Sequence, residues 1–369
     1  MKKKIVVSCG TRPEIIKMAP ILFAFKKYKS LFDVLLLDTG QHFHSELSSQ
    51  LYDWFKIKPD NYLNYQAKKN TDLGYMTSKL IALSNKFIKD NQPDLILVQG
   101  DTNSAFVLAY TAYVNKIPVG HIEAGLRTDD FYLPFPEEIN RRLISKLTTL
   151  QFPPTKIALA NLKNENINNC YNYYGNTVID SLQWTLKRKH NISDPLKSNK
   201  NLILMTCHRR ENWGQPFIDF IKVIDEFLLE HNNFQVLLPL HPNPILISSY
   251  KKADIQSVNF NISKPLSYPQ IAAMLDKAIL LLTDSGGIQE EAAYLGKRTF
   301  ILRKKTERIE ALKENWIECI GSDASKLKNY LYKFANNSKN FTEKYPSKAF
   351  GDGNASKKIV EEIVKYYKV

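Results

Sequence analysis

The chain has 369 residues, 44% of them hydrophobic and 24% charged, with a formal net charge of +14. That length calls for two domains of roughly 150–200 residues each, and the composition is globular, with no apolar run approaching the about 18 residues of a membrane helix. The positive charge suits a nucleic acid or an anionic small substrate, but the lysines are spread evenly, mixed with asparagines, and form no basic run interleaved with aromatics, which argues against nucleic acid.

The opening MKKKIVVSCGTRPE is basic, yet its apolar stretch is short and runs into Arg12 and Glu14, so it does not read as a signal peptide. Lys4–Ser8 (KIVVS) reads as the first buried strand. Gly10 then permits a tight turn, Pro13 suits the start of a helix over Pro13–Lys27, and Arg12 and Lys17 stand near a helix N-terminus that already favours an anion. Solvated cations on an ordinary strand–turn–helix are an equally good reading of this stretch alone. Val34–Asp38 is the next strand, Leu73–Lys89 carries apolar residues at helical spacing, and Leu95–Gln99 and Pro118–Ile122 are further strands. All are continuous rather than alternating, as in a parallel sheet covered on both faces.

Acidic residues follow these strands. Asp101, in GDTNS, could serve only as the N-cap of the next helix. Glu123 lies at or just past a buried strand end, where a carboxylate is costly unless paired or used. FPEEINRR opens a helix at Pro136, and Glu137 and Glu138 in its first turn could simply complement the helix dipole. Three acidic sites within some forty residues suit proton transfer at carbon, with one carboxylate charged and another held neutral.

The polar stretch Leu186–Asn201, with Pro195 and no apolar periodicity, reads as a linker. A second series of strands follows: Leu202–Thr206, Phe234–Pro239, Ala278–Thr283 and Thr299–Leu302. The fold class is therefore α/β, with two Rossmann-like doubly wound domains and a default ligand site in the cleft between them, beyond the carboxyl ends of the strands. After Leu202–Thr206 come His208, Arg209 and Arg210, and His241 follows the next strand. The two histidines lack helical ligand spacing and an evident third ligand, so a pyrophosphate fits these residues better than a metal. Ser285, Gly286 and Gly287 can open a helix with bare N–H groups aimed at a phosphate. A capping box with Gly287 as N-cap would account for Glu290 but not for Glu291, which can reach a ribose and accept from both hydroxyls. Cys9, Cys170, Cys207 and Cys319 are far apart and read as the reduced thiols of a cytoplasmic protein.

The motifs GTRPEIIKMAP (10–20), TGQH (39–42), GDTNS (100–104), GHIEAGLRT (120–128), PFPEEINRR (134–142), GNTVID (175–180), CHRREN (207–212), HPNP (241–244), TDSGGIQEEA (283–292), KTERIEA (305–311) and FGDGNAS (350–356) follow one another through nearly the whole chain. Together they resemble the non-hydrolysing UDP-N-acetylglucosamine 2-epimerases. The resemblance implies a GT-B-like fold: an N-terminal domain over 1–185 with the sugar and acid/base residues, completed by a C-terminal helix over 355–369, and a UDP-binding domain over 200–354. It implies interconversion of UDP-GlcNAc and UDP-ManNAc through elimination of UDP to 2-acetamidoglucal, with no nicotinamide cofactor and no metal, in a homodimer that supplies ManNAc-type precursors for surface polysaccharide. Asp101, Glu123 and Glu137 become the acid/base carboxylates, and His208 assists the departing diphosphate. Arg12, Lys17, Ser285, Gly286 and Gly287 fall to the nucleotide phosphates and Glu291 to the ribose, while the substrate-binding set also takes in His42 and Arg141. Gln41, Arg209 and His241 match positions implicated in binding a second, activating UDP-GlcNAc. The chain departs from the family pattern at Ile309, usually proline, in QHFHSEL after its first two residues, and in QAKKNTDL, which lacks an arginine–glutamine pair; the last two bear on that activation.

Three rival activities share this framework. A hydrolysing 2-epimerase, releasing free ManNAc and UDP, usually departs from GTRPE in the first loop, which is intact here. An epimerase of a related UDP-amino sugar is set apart only by the pocket around C6. A retaining GT-B glycosyltransferase needs an acceptor site and has less use for three clustered carboxylates.

Overall fold

The computed structural model describes the chain apart from residues 42–44, 64, 66–71, 129, 133, 171, 197–198, 307, 314–315, 338–343, 345 and 369, and the side chains of 45–47 and 191. It divides into two compact units, Met1–Gln183 with Gly351–Val369, and Trp184–Phe350.

The first unit alternates strand and helix. In chain order it holds β1 (Lys3–Cys9), α1 (Arg12–Phe25), β2 (Phe32–Asp38), α2 (Ser45–Phe55), β3 (Asn61–Tyr62), α3 (Leu73–Asn91), β4 (Leu95–Gln99), α4 (Asn103–Val114), β5 (Val119–Ile122), α5 (Glu137–Leu147), β6 (Leu150–Phe152) and α6 (Lys156–Asn164), and α7 (Thr177–Leu186) carries the chain across the boundary. The second holds β7 (Asn201–Thr206), α8 (Gln215–Glu230), β8 (Phe234–Pro239), α9 (Pro244–Ala253), β9 (Phe260–Ser263), α10 (Tyr268–Lys277), β10 (Leu280–Thr283), α11 (Gly286–Leu295), β11 (Arg298–Ile301), β12 (Ile317–Cys319) and α12 (Ala324–Asn336). The last helix, α13 (Ala355–Tyr366), packs on α1 in the first unit. It is held there by buried Ile359, Val360 and Ile363 and by the Asp180 carboxylate, which accepts from the Ala355 and Ser356 N–H groups at its N-terminus.

Each unit has one parallel six-stranded sheet, in the orders β3-β2-β1-β4-β5-β6 and β12-β11-β10-β7-β8-β9. Read from its own first strand, each sheet has the same 3-2-1-4-5-6 order, so the expected doubly wound α/β class is what the chain forms. The central strands are covered on both faces: every residue of LILVQ in β4 and of LLLT in β10 is buried. Phe217, Phe220, Phe227, Phe234 and Phe300 fill the core of the second unit, and Val6, Ile96, Val98, Leu108 and Ile144 that of the first. In this topology the chain leaves the two central strands toward opposite sides, which opens a crevice at their carboxyl ends. The pairs concerned are β1 with β4, and β7 with β10.

Candidate active site

In the first unit the turns after β1 and β4 meet closely. A Cβ on Gly10 would lie 2.2 Å from Thr39 Oγ1 and 2.4 Å from Ser104 Oγ, so the turn after β1 accepts only glycine. Arg12 begins α1; burial lowers the pKa of its guanidinium, and its Nε is buried without a hydrogen-bond partner among the described residues. Glu14, two residues on, is fully buried and accepts from Gly10 N at 3.1 Å and Thr102 Oγ1 at 3.0 Å. Burial pushes its carboxyl up to about 7, against those hydrogen bonds.

The expected carboxylates stand at the carboxyl ends of adjacent strands. Glu123 follows β5 with φ at 64°, a left-handed conformation that costs a non-glycine residue energy. Its Oε2 accepts from both Lys17 Nζ and the Gln99 amide, so the buried charge is paired. Lys17, expected near a phosphate, is thus turned to Glu123. Asp101 follows β4 and is not the N-cap of α4. That position belongs to Thr102, whose Oγ1 accepts from Ala105 N at 3.1 Å, and Asp101 instead pairs with Arg141 from α5. A one-residue shift in the helix start explains the difference: Thr102 has the extended backbone a cap requires. Glu137 is the half-buried first residue of α5, which packs on α4 and β5. Gln41 lies close by, its Oε1 accepting from Ser104 N at 2.6 Å. His42 lies outside the described residues.

In the second unit the turn after β7 is organised by a residue from the end of β10. Asp284 is fully buried, and its Oδ2 accepts from His208 N at 2.9 Å, Arg209 N at 2.8 Å and the Asn212 amide at 3.0 Å. Its Oδ1 lies 3.1 Å from His208 Nδ1. Burial alone would raise its pKa, but His208, the Arg209 N–H and Asn212 outweigh burial and hold it at about 2. The carboxylate fixes the Nδ1 side of the His208 ring and leaves Nε2 for other work. His241, after β8, stacks on His208 with centroids 6.0 Å apart and planes at 17°. Stacked imidazoles do not aim their nitrogens at a common point, so the pair has little of a metal site about it. Arg209 Nε is buried without a hydrogen-bond partner among the described residues.

The capping box at Gly287 does not form. α11 starts at Gly286 with Ser285 as its N-cap, and Glu290 pairs with Arg308 Nε at 2.9 Å. Starting the helix two residues earlier moves Glu290 from the third helical position to the fifth, where it cannot reach back to the cap. Arg308 lies over the helix start: a Cβ on Gly286 would come within 3.1 Å of its guanidinium carbon. A helix N-terminus and a guanidinium at one spot have the chemistry to hold an anion, with Glu290 balancing part of the charge. One turn on, buried Glu291 accepts from Tyr268 OH at 3.0 Å.

Sequence reasoning had not singled out Glu14, His121, Arg308, Tyr268 or Asp284. His121, in β5, has Nε2 at 2.7 Å from Gly100 O, and burial lowers it to about 4, so it is neutral. Its place on a strand gave it the look of a core residue. Asp284 was legible as the polar end of an apolar run; its partners, some 75 positions away in sequence, were not.

A model of the family described as UDP-N-acetylglucosamine 2-epimerase matches residues 26–364. The chain is 38% identical over 376 residues to the UDP-N-acetylglucosamine 2-epimerase of Bacillus subtilis strain 168, covering 100% of this chain and 97% of that protein. Among solved structures it is similar to UDP-GlcNAc 2-epimerase from Neisseria meningitidis bound to UDP-GlcNAc, with a TM-score of 0.89 and 35% identity over 98% of this chain and 100% of that one. The UDP-GlcNAc 2-epimerase of Methanocaldococcus jannaschii in complex with UDP-GlcNAc and UDP is similar at a TM-score of 0.80 and 30% identity, over 99% and 100%.

Proposed function

The chain belongs to the UDP-N-acetylglucosamine 2-epimerase family, an isomerase family, and on that premise we propose that it interconverts UDP-GlcNAc and UDP-ManNAc without hydrolysing either. The observation that carries the reading is the pair of carboxylates at the ends of adjacent strands, Glu123 held by Lys17 and Asp101 held by Arg141. Each carboxylate is thus held in place by a cation at a strand end, and general acid–base work at carbon needs carboxyl groups positioned in this way.

In the proposed reaction the C1–O bond breaks with its electrons passing to the diphosphate, and the C2 proton passes to a carboxylate. The product is 2-acetamidoglucal and UDP. The diphosphate then adds back to C1 while a proton reaches C2 from the opposite face, so no redox step is needed. Asp101, Glu123 and Glu137 share the base and acid roles. His208, with Nδ1 on Asp284, protonates the departing diphosphate through Nε2. Arg12, Ser285, Gly286, Gly287 and Arg209 hold the phosphates; in favour of Arg12 and Arg209 is the buried guanidinium N–H that each has to offer. Glu291 holds the ribose.

We further propose a homodimer that makes precursors for surface polysaccharide. Support for the dimer comes from the outer face of α4, where Tyr110, Tyr113 and Val114 are exposed, and from Ile139 and Leu143 on the neighbouring α5. Among the described residues no helix is long and apolar enough to cross a membrane.

NMR of UDP-GlcNAc incubated with the purified protein tests the activity. UDP-ManNAc with the nucleotide still attached is expected; stoichiometric free ManNAc and UDP would transfer the chain to the hydrolysing reading.

A further inference from the structure

Asp101 is one end of a chain of charges within the first unit. Arg141, its partner, also brings Nη1 to 3.3 Å from Glu138 Oε2. Glu138 is fully buried; its Oε1 accepts from Arg142 Nε at 2.7 Å and its Oε2 from Thr128 N at 3.0 Å. Arg142 Nη1 lies 2.9 Å from Glu165 Oε1, and Glu165 also takes Arg127 through Nε at 2.7 Å and Nη2 at 2.9 Å. The order is Asp101, Arg141, Glu138, Arg142, Glu165, Arg127, with charge alternating at each step. Asn140 adds a separate hold, donating to Asp101 O at 3.0 Å.

We propose that Glu138 is a positioning residue: it anchors Arg141 from behind and so fixes the side chain of Asp101 for proton transfer. A helix-dipole role accounts for an acid in the first turn but not for its complete burial between two arginines. A guanidinium with one ionic partner can swing about its stem, whereas one gripped from two sides cannot. Glu137 and Glu138 thus divide the work: the half-buried Glu137 acts on substrate, and Glu138 holds the apparatus in place. The proposal rests on the catalytic role given to Asp101.

The test is Glu138→Gln in the full-length protein, with Asp101→Asn and Glu165→Gln beside it. For Glu138→Gln we expect kcat to fall about tenfold or more, UDP affinity to stay within about twofold, and the acidic limb of the kcat–pH profile to move upward as Asp101 loses its guanidinium. His121, which feels the charge of Asp101 together with those of Arg127 and Glu123, is the same in all these variants. If Glu138 were only a nearby negative charge, its removal would ease the ionisation of Asp101 and move that limb downward; a downward shift, or an unchanged kcat, overturns the proposal. Should Glu138→Gln fail to fold, Glu165→Gln loosens the same chain further from Asp101. A smaller fall in kcat with the same upward shift is then expected, and wild-type kcat and profile overturn the proposal. An active Asp101→Asn overturns the proposed function itself, whereas inactive Asp101→Asn beside fully active Glu138→Gln overturns only the role of Glu138.

Discussion

Replacing Asp284 by Asn would test the organisation of the second unit most severely. The carboxylate has four partners, two backbone N–H groups, the Asn212 amide and His208 Nδ1, and no exposure to water. The Asn oxygen can keep the backbone donors, but its NH2 then faces the Nδ1–H of His208, donor against donor. The ring must turn or adopt its other tautomer. Losing one close contact to a charged carboxylate costs about 1.5–3 kcal/mol, so turnover should fall by about tenfold to a hundredfold. Stability follows from linkage. Held at about 2 against an unfolded value of about 3.9, the Asp284 carboxylate contributes on the order of 2–3 kcal/mol at neutral pH. Because the folded pKa is depressed, this contribution is fully present above pH about 4 and is lost as the pH falls toward 2. The stability gap between wild type and Asp284→Asn should be widest near neutrality and close at acid pH. Urea titrations monitored by tryptophan fluorescence measure it, with Trp213, bonded to His208 O at 2.9 Å, as a local reporter. A folded variant with turnover within about threefold of wild type would refute the role of the His208–Asp284 pair; a gap that does not change with pH would refute the linkage argument.

Glu291→Ala should weaken UDP binding by about tenfold or more, the cost of a lost charged contact of about 1.5–3 kcal/mol, as read by calorimetric titration; unchanged affinity removes the ribose assignment. Asp101→Asn should abolish turnover while keeping UDP affinity and the start of α4, because Thr102, not Asp101, caps that helix. Near-normal activity would leave Asp101 without a catalytic role. Tyr113→Glu, on the exposed stripe of α4, should halve the particle mass seen by sedimentation if two copies meet there, and an unchanged mass would move the interface elsewhere.

The eight central strands were legible because burial on both faces demands a continuous apolar run, and LILVQ or FQVLLP admits no other reading. The four strands that escaped notice, β3, β6, β9 and β12, are the edges of the two sheets. They have two to four residues each, and Asn61–Tyr62 has no apolar run to find. Candidate site residues were legible by position where topology dictates them, and Arg12, Asp101, His208 and Ser285 do stand just after strand ends. Their partners were not: Glu123 meets Lys17 from 106 positions away, and Arg308 meets Glu290 from 18. Sequence spacing shows neighbours only within one helix, so a charge that joins two elements reads as a solvated residue until the fold brings its partner to it. Helix starts slipped for a related reason. Thr102 and Ser285 each stand beside another residue able to cap, and backbone conformation chooses between them.

The central claim is that C2 inverts by proton transfer in a substrate that keeps its nucleotide. Incubating the enzyme with UDP-GlcNAc in D₂O, with no added NAD, and following C2 by NMR and mass spectrometry tests it most directly. The account predicts deuterium at C2 of both UDP-GlcNAc and UDP-ManNAc, with free UDP and free sugar accumulating only slowly. Epimerised product carrying no deuterium at C2 would contradict it, and with it the roles given to Asp101, Glu123 and Glu137.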